Sequence, residues 1–319
     1  MRFDVTLVGE FNMDLLLYGL PESLPPEREF LANRMALLLG GSSAITAHNL
    51  AALGNRVGLI TCAADDHFAA SCLSELSAAG VDLSSVVPAP AEIETGVTVL
   101  LQHERSRRTL TYLGATGALT YRDLDLEYLK KSRHFHMCSP FLQRGLLPDL
   151  PRLLAELKQA GLSISMDTND DPAGEWAGPV QQALESVDVL MPNEYEACQL
   201  AGTATLDEAI LKLLERVPLL VIKQGARGAL ACSADHTESV SAVDVKSLDA
   251  VGAGDSFNAG FLHGYVRGWP HRRCLELGNL AGALSTTGVG GTAAFRNGSA
   301  LKQFLGRNLV EDHEQVKAP

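Results

Sequence analysis

The chain has 319 residues, enough for one large domain or two small ones and for a sizeable buried core. Its 38 acidic and 26 basic residues leave a formal charge of −12, which excludes nonspecific binding to nucleic acid or anionic membranes, since both rest on basic patches. Six cysteines stand singly without a Cys-x-x-Cys pair, and no apolar run approaches the ~20 residues that span a bilayer, so a reduced, cytoplasmic protein is expected.

Met1-Arg2-Phe3-Asp4 leads into an apolar run at 5–8 that reads as a first strand rather than a signal peptide. After it, Gly9-Glu10-Phe11-Asn12-Met13-Asp14 places polar side chains at a strand end, where a dinucleotide-binding strand would carry its glycine fingerprint. Gly40 and Gly41 would admit a ligand close to the backbone, with a helix beginning near Ser42 or Ser43. A strand at 57–61 and a helix at 66–79 follow. Runs at 95–103 and 107–113 then read as two strands around the charged turn Glu104-Arg105-Ser106-Arg107, a hairpin inserted into an otherwise alternating pattern.

The alternation resumes with strands at 134–138, 163–167, 187–191 and 219–223, and helices at 146–160 and 193–201. It predicts a doubly wound, mainly parallel sheet with helices on both faces, in which ligands sit outside the carboxyl ends of the strands. Asn12, Asp167, Asn193 and Lys223 all fall at such ends. His134 and His136 share a strand face without a third metal ligand nearby, so they read as pocket-lining or satisfied core residues.

The stretch with most chemistry is Asp249-Ala250-Val251-Gly252-Ala253-Gly254-Asp255, which precedes a helical segment at 258–268. Helix-start N–H groups carry about +0.5 charge, and small residues there let a phosphate approach. A carboxylate beside an anion site is repulsive unless it handles a proton or a metal, as phosphoryl transfer requires. Read by itself, Asp255 fits equally well as a helix N-cap after a glycine-rich turn. The chain has no Gly-Lys dipeptide and hence no Walker-type P-loop.

Taken together, four segments resemble the PfkB/ribokinase-like carbohydrate kinases over almost the whole chain: Gly40-Gly41-Ser42-Ser43 through Gly54, Asn193-Glu194-Tyr195-Glu196, Lys223 through Gly228, and Asp249 through Asp255. The resemblance implies a single ribokinase-like domain over 1–319, with a small β lid built from parts of 14–38 and 94–114. It implies Asp255 as general base with Gly252, Ala253 and Gly254 as anion cradle, and Asn12, Asp14, Gly40, Gly41, Ser42 and Asn169 around a sugar. ATP would lie against Asn193, Lys223, Gly225, Gly228, Gly254 and Asn279. Magnesium would be held at Asn193 and Glu196, through water, and a monovalent cation such as potassium at Asp249 and Val251. A homodimer through the lid is the implied assembly.

Three departures from the family pattern bear on the acceptor. Ile45 stands where ribokinase-like members commonly have Asn, Cys138 where ribokinases have an acid before Ser-Pro, and Asp171 where Asp-x-Asn-x-Arg would end in Arg. The first two remove hydrogen-bonding groups from the presumed pocket, and the third removes a cation; an uncharged sugar or polyol other than ribose is the expected acceptor. The alternatives are a nucleoside kinase with a base pocket around Phe11, Tyr112 or Phe141, and a non-catalytic sugar or nucleotide sensor on the same fold.

Overall fold

The computed structural model describes residues 2–104 and 106–308; Met1, Arg105 and residues 309–319, among them the polar tail at 311–319 that the sequence predicts to fray, lie outside the described residues. Its larger sheet has eight strands in the order Thr237–Val240, Ala229–Cys232, Leu219–Lys223, Val189–Leu190, Ser163–Asp167, Ser132–Cys138, Phe3–Val8, Val57–Ile60. The last six pair in parallel, and the first two close the other edge as an antiparallel hairpin.

Strands covered on both faces are apolar at consecutive positions rather than alternate ones. Leu219–Lys223 illustrates this: Leu220 and Ile222 enter one core with Met137, Leu154 and Ile164, while Leu219 and Val221 enter the other with Leu7, Leu59 and Phe261. The first core is roofed by the helix Leu150–Gln159, whose Leu150, Leu153, Leu154 and Leu157 are buried at helical spacing. That helix is shorter than the expected 146–160, because Pro148 and Pro151 confine the preceding turn to a 3-10 form at Leu147–Asp149. The expected strand at 187–191 pairs only over Val189–Leu190.

A second sheet has four strands, Arg34–Gly40, Asn12–Leu20, Val97–His103 and Arg107–Tyr112. Asn12 and Asp14 are therefore on a paired strand of this sheet, not in a turn after the first strand; being two apart, they share one face. On that same face Leu16 and Leu100 pack against Val251, with Tyr18, Ala36 and Leu38 around them, so the small sheet rests directly on the glycine-rich loop.

Candidate active site

A cleft of about 760 Å³ opens between the two sheets at the carboxyl ends of the parallel strands. Its floor is the helix Ala253–Tyr265, which begins at Ala253 rather than at Asn258. Gly252 is the N-cap, in the left-handed region at φ 72°, and a Cβ there would lie 2.5 Å from the Cα of Gly291, so only glycine fits. There is no side-chain cap; the Ala253 N–H makes a long bond of 3.3 Å to the Ala250 carbonyl, while Gly254 presents the next N–H of the helix start, and both residues line the cleft. Asp255 lies inside the first turn and is not the N-cap; burial pushes its carboxyl up to about 6, with Asp167 adding repulsion and Lys223 opposing both.

Lys223 ends its strand 2.5 Å from Asp167, and Asn258 donates to the same Asp167 oxygen at 2.5 Å. Burial disfavours the Lys223 ammonium, but Asp167 and Glu196 more than offset this and raise its pKa, so it is a held cation in the cleft lining. Asp167 was legible as a strand end but not as this partner.

On the small-sheet wall of the cleft, Asn12 donates to Asp14 at 2.8 Å and to Thr98 at 2.8 Å, tying two strands of that sheet together. Burial raises the Asp14 carboxyl to about 7, against the hydrogen bond from Asn12. Gly40 does not line the cleft; it makes room, since a Cβ there would fall 2.0 Å from an Asp14 oxygen. Gly41 and Ser42 do line it, and Asn169, at φ 49°, donates at 2.8 Å to the hydroxyls of both Ser42 and Ser139.

Glu10 was quoted in the sequence but not assigned. The helix Ser42–Ala52 has Gly41 as N-cap and no side-chain cap of its own. Glu10 fills that role from a distant segment: it accepts from the Ser42 N–H at 2.9 Å, the Ser43 hydroxyl at 3.0 Å and the Gln143 amide at 2.5 Å. Burial raises its carboxyl to about 7. An uncapped Gly-Gly helix start with a buried acid elsewhere was the available signal. Arg107 and Arg144 also line the cleft and were not singled out as site residues.

At the start of the helix Glu194–Ala201, Asn193 and Glu196 form a reciprocal capping box: Asn193 accepts from the Glu196 N–H at 2.9 Å, and Glu196 accepts from the Asn193 N–H at 2.8 Å and its amide at 2.6 Å. Both line the cleft with Asp170 and Gly225. No group of three or more His, Cys, Asp or Glu among the described residues could enclose a metal alone. That suits magnesium, which keeps waters and takes phosphate oxygens. Gly228 is outside the cleft lining; its φ of 105° and the Val240 oxygen, 2.0 Å from where a Cβ would be, explain the glycine by packing. Asn279 is also outside the lining and donates to the Val240 and Ser241 carbonyls at 3.0 and 3.1 Å. Val251 lines the cleft, whereas Asp249 braces the loops around it, accepting from Val251 N–H at 3.1 Å, Gly290 N–H at 3.0 Å and the Tyr18 hydroxyl at 3.1 Å.

Two of the substrate arguments need correction. Ile45 lines the cleft as expected, but Cys138 is fully buried outside it, its thiol 3.8 Å from the Thr46 hydroxyl. Asp171 does not occupy the acceptor site: its carboxylate accepts backbone N–H groups of Ala173, Glu175 and Trp176 at 2.8–2.9 Å and borders a neighbouring hollow of about 290 Å³. The missing arginine at 171 thus says nothing about acceptor charge. His134 and His136 are core residues joined through the Ser165 hydroxyl at 2.6 Å, and burial holds their pKa values down at about 3 and 4.

Residues 2–297 match the pfkB family carbohydrate kinase profile. An uncharacterized sugar kinase of Archaeoglobus fulgidus is 27% identical over 73% of this chain and 92% of its own length. A 5-dehydro-2-deoxygluconokinase of Clostridium perfringens is 25% identical over 99% of this chain and 96% of its own. The crystal structure of an Escherichia coli protein designated ribokinase II, in complex with ATP and Mg2+, superimposes with a TM-score of 0.84 at 25% identity, covering 96% of this chain and 99% of that one. With the ribokinase-like sheet, the open helix start and the carboxylate beside it, these likenesses place the chain in the pfkB family of carbohydrate kinases, and it is an ATP-dependent kinase.

Proposed function

We propose that the protein transfers the γ-phosphoryl group of ATP to a hydroxyl of a small sugar-type acceptor, with Asp255 as general base. The observation that carries this reading is the position of the Asp255 carboxyl in the first turn of an uncapped helix, lining the same cleft as Asn12 and Asp14. Asn12 and Asp14 would orient the acceptor hydroxyls, Asp255 would take the proton of the attacking one, and the N–H groups at Ala253 and Gly254 would meet the charge that develops on the transferring group. Lys223 and Gly225 would border the phosphates. Magnesium, when bound, neutralises phosphate charge, and Asn193 and Glu196 are the residues that would hold it through water.

The reading extends to a monovalent cation such as potassium at the Asp249–Val251 loop, where the Asp249 carboxylate has lone pairs beyond the three donors it meets. Faster turnover in potassium than in lithium would support it. The small sheet would act as a lid. Its outer face, with Leu15, Leu17, Met35, Leu37, Val99 and Leu110 in register across the four strands, is apolar and partly exposed, which favours a second copy as its cover. Six free cysteines fit a reducing cytoplasm.

A nucleoside acceptor is the weaker reading. No aromatic side chain among the described residues lines the cleft: Phe11 is in the core, Phe141 packs on Trp176 and Tyr112 faces outward at 53% exposure. A base would lack a stacking surface. The test is ADP release by the purified chain with ATP and magnesium across sugars, sugar acids, sugar phosphates and nucleosides. Acceptor-dependent release that Asp255→Asn abolishes supports the reading; release with nucleosides alone, or undiminished release in Asp255→Asn, overturns it.

A further inference from the structure

The acceptor end of the cleft contains two cations that the phosphoryl-transfer chemistry does not use. Arg107 opens the strand Arg107–Tyr112 and lies on the same face as Thr109 and Thr111, all three lining the cleft. Arg144 reaches the cleft from another wall, just after the turn Pro140–Leu142. Both are exposed. Among the described residues neither guanidinium forms an ion pair, whereas Lys223, the third cation of the lining, is paired with Asp167.

This is a chain of charge −12, in which acidic partners outnumber basic ones. Neither arginine is held in an ion pair, although Arg107 is near enough to Asp14 for its charge to oppose the rise of that carboxyl, so both guanidinium forks are available to a ligand. Of the acids in the lining, Glu10, Asp14, Glu196 and Asp255 are buried and Asp170 is exposed, while both arginines are exposed. An anionic group would be repelled from the buried acids and drawn to the exposed arginines. Guanidinium forks match carboxylate and phosphate oxygens in paired hydrogen bonds.

We propose that the acceptor carries an anionic group, a carboxylate or a phosphate, held by Arg107 and Arg144 at the mouth of the cleft while a hydroxyl at its far end faces Asp255. The proposal rests on the kinase reading above and names the class of acceptor for that site. It reverses the uncharged acceptor expected from Asp171, and it also fixes polarity: phosphoryl transfer goes to the hydroxyl end remote from the existing charge.

The test compares kcat/KM of the full chain for fructose, fructose 6-phosphate and a six-carbon keto-deoxy aldonic acid, the two charged acceptors separating phosphate from carboxylate. A charged acceptor is expected to exceed fructose by at least about tenfold. Arg107→Gln and Arg144→Gln are each expected to raise KM for that acceptor by about ten- to a hundredfold, with little change in kcat and a smaller effect on fructose. Arg108→Gln, on the opposite face of the same strand, serves as the control and keeps wild-type kinetics. Preference for fructose, equal losses with charged and neutral acceptors, or a rise confined to the KM of ATP would overturn the proposal. Should no acceptor release ADP, the kinase reading fails, and calorimetric binding of the same three compounds to wild type and arginine variants still decides this one: equal affinity for charged and neutral compounds overturns it, and an arginine-dependent preference for a charged one supports it.

Discussion

As the proposed base, Asp255 combines two requirements that pull against each other. A base must be ionised to accept a proton, yet its burial beside Asp167 raises its pKa to about 6. Lys223 keeps the shift from going further, so the carboxylate is ionised at neutral pH and still basic enough to be useful. The rate with a saturating neutral acceptor should therefore fall about tenfold per unit as pH drops below about 6, an acid limb that a pH–rate profile would reveal. A limb near the ordinary carboxylate value would mean that the group is solvated in solution. Asp255→Asn should cost ~10²–10⁴ in kcat while leaving ATP binding in place, as read by single-turnover kinetics and calorimetry.

At the scale of elements, the glycine-rich loop is held by packing as much as by its own sequence. Gly252→Ala would need a left-handed residue with a Cβ at 2.5 Å from Gly291, so both loops must move. The expected cost is ~1–3 kcal/mol of stability and a larger proportional loss of turnover, measurable by denaturant unfolding and initial rates. Unchanged stability would show that the neighbouring Gly290–Gly291 loop yields freely. The loop also shows what was legible in advance. A local pattern carried Gly252 and Asp255, because glycine turns are set by neighbours in sequence, whereas Asn193 and Glu196 read locally as a helix start and were singled out only through the family resemblance. The start of the helix at Ala253 was missed because Gly252-Ala-Gly254 has poor helix propensity, and tertiary contact overrides it. Glu10, Asp167 and the role of Asp171 depend on partners from elsewhere in the fold, such as Ser42, Lys223 and Trp176, and no periodicity reports those.

For the whole molecule, the buried carboxylates create a stability that depends on pH in an unusual direction. Glu10 and Asp14 are raised to about 7 and Asp255 to about 6, so between about pH 4 and pH 7 the folded chain binds more protons at these sites than the unfolded chain does. Their contribution to stability therefore falls as pH rises through that window. Buried His134, His136 and His263, held down at about 3, 4 and 4, contribute the opposite slope, so the expectation is a difference: from pH 5.5 to pH 7.5 the denaturant midpoint of the ligand-free protein should fall relative to that of Glu10→Gln/Asp14→Asn. An identical slope in that variant would remove these groups as its source. The outer face of the small sheet gives a second whole-molecule expectation. Sedimentation should find a species of twice the 34.0 kDa chain mass, and Leu37→Lys/Leu110→Lys should convert it to the monomer. A wild-type monomer at micromolar concentration would refute the dimer.

Asn12 and Asp14 belong to the small sheet, whereas Asp255 belongs to the helix beneath the large one. On the proposed assignment, the groups that would select the acceptor and the group that would activate it are thus on separate bodies of structure. A water molecule entering beside ATP would find the base but would not engage Asn12 and Asp14 as a polyol does. Such an arrangement would guard against wasteful hydrolysis: ADP release without acceptor should be a small fraction of the coupled rate. Loosening the Asn12–Thr98 tie by Thr98→Val should raise that leak relative to productive transfer, a ratio measurable in one assay.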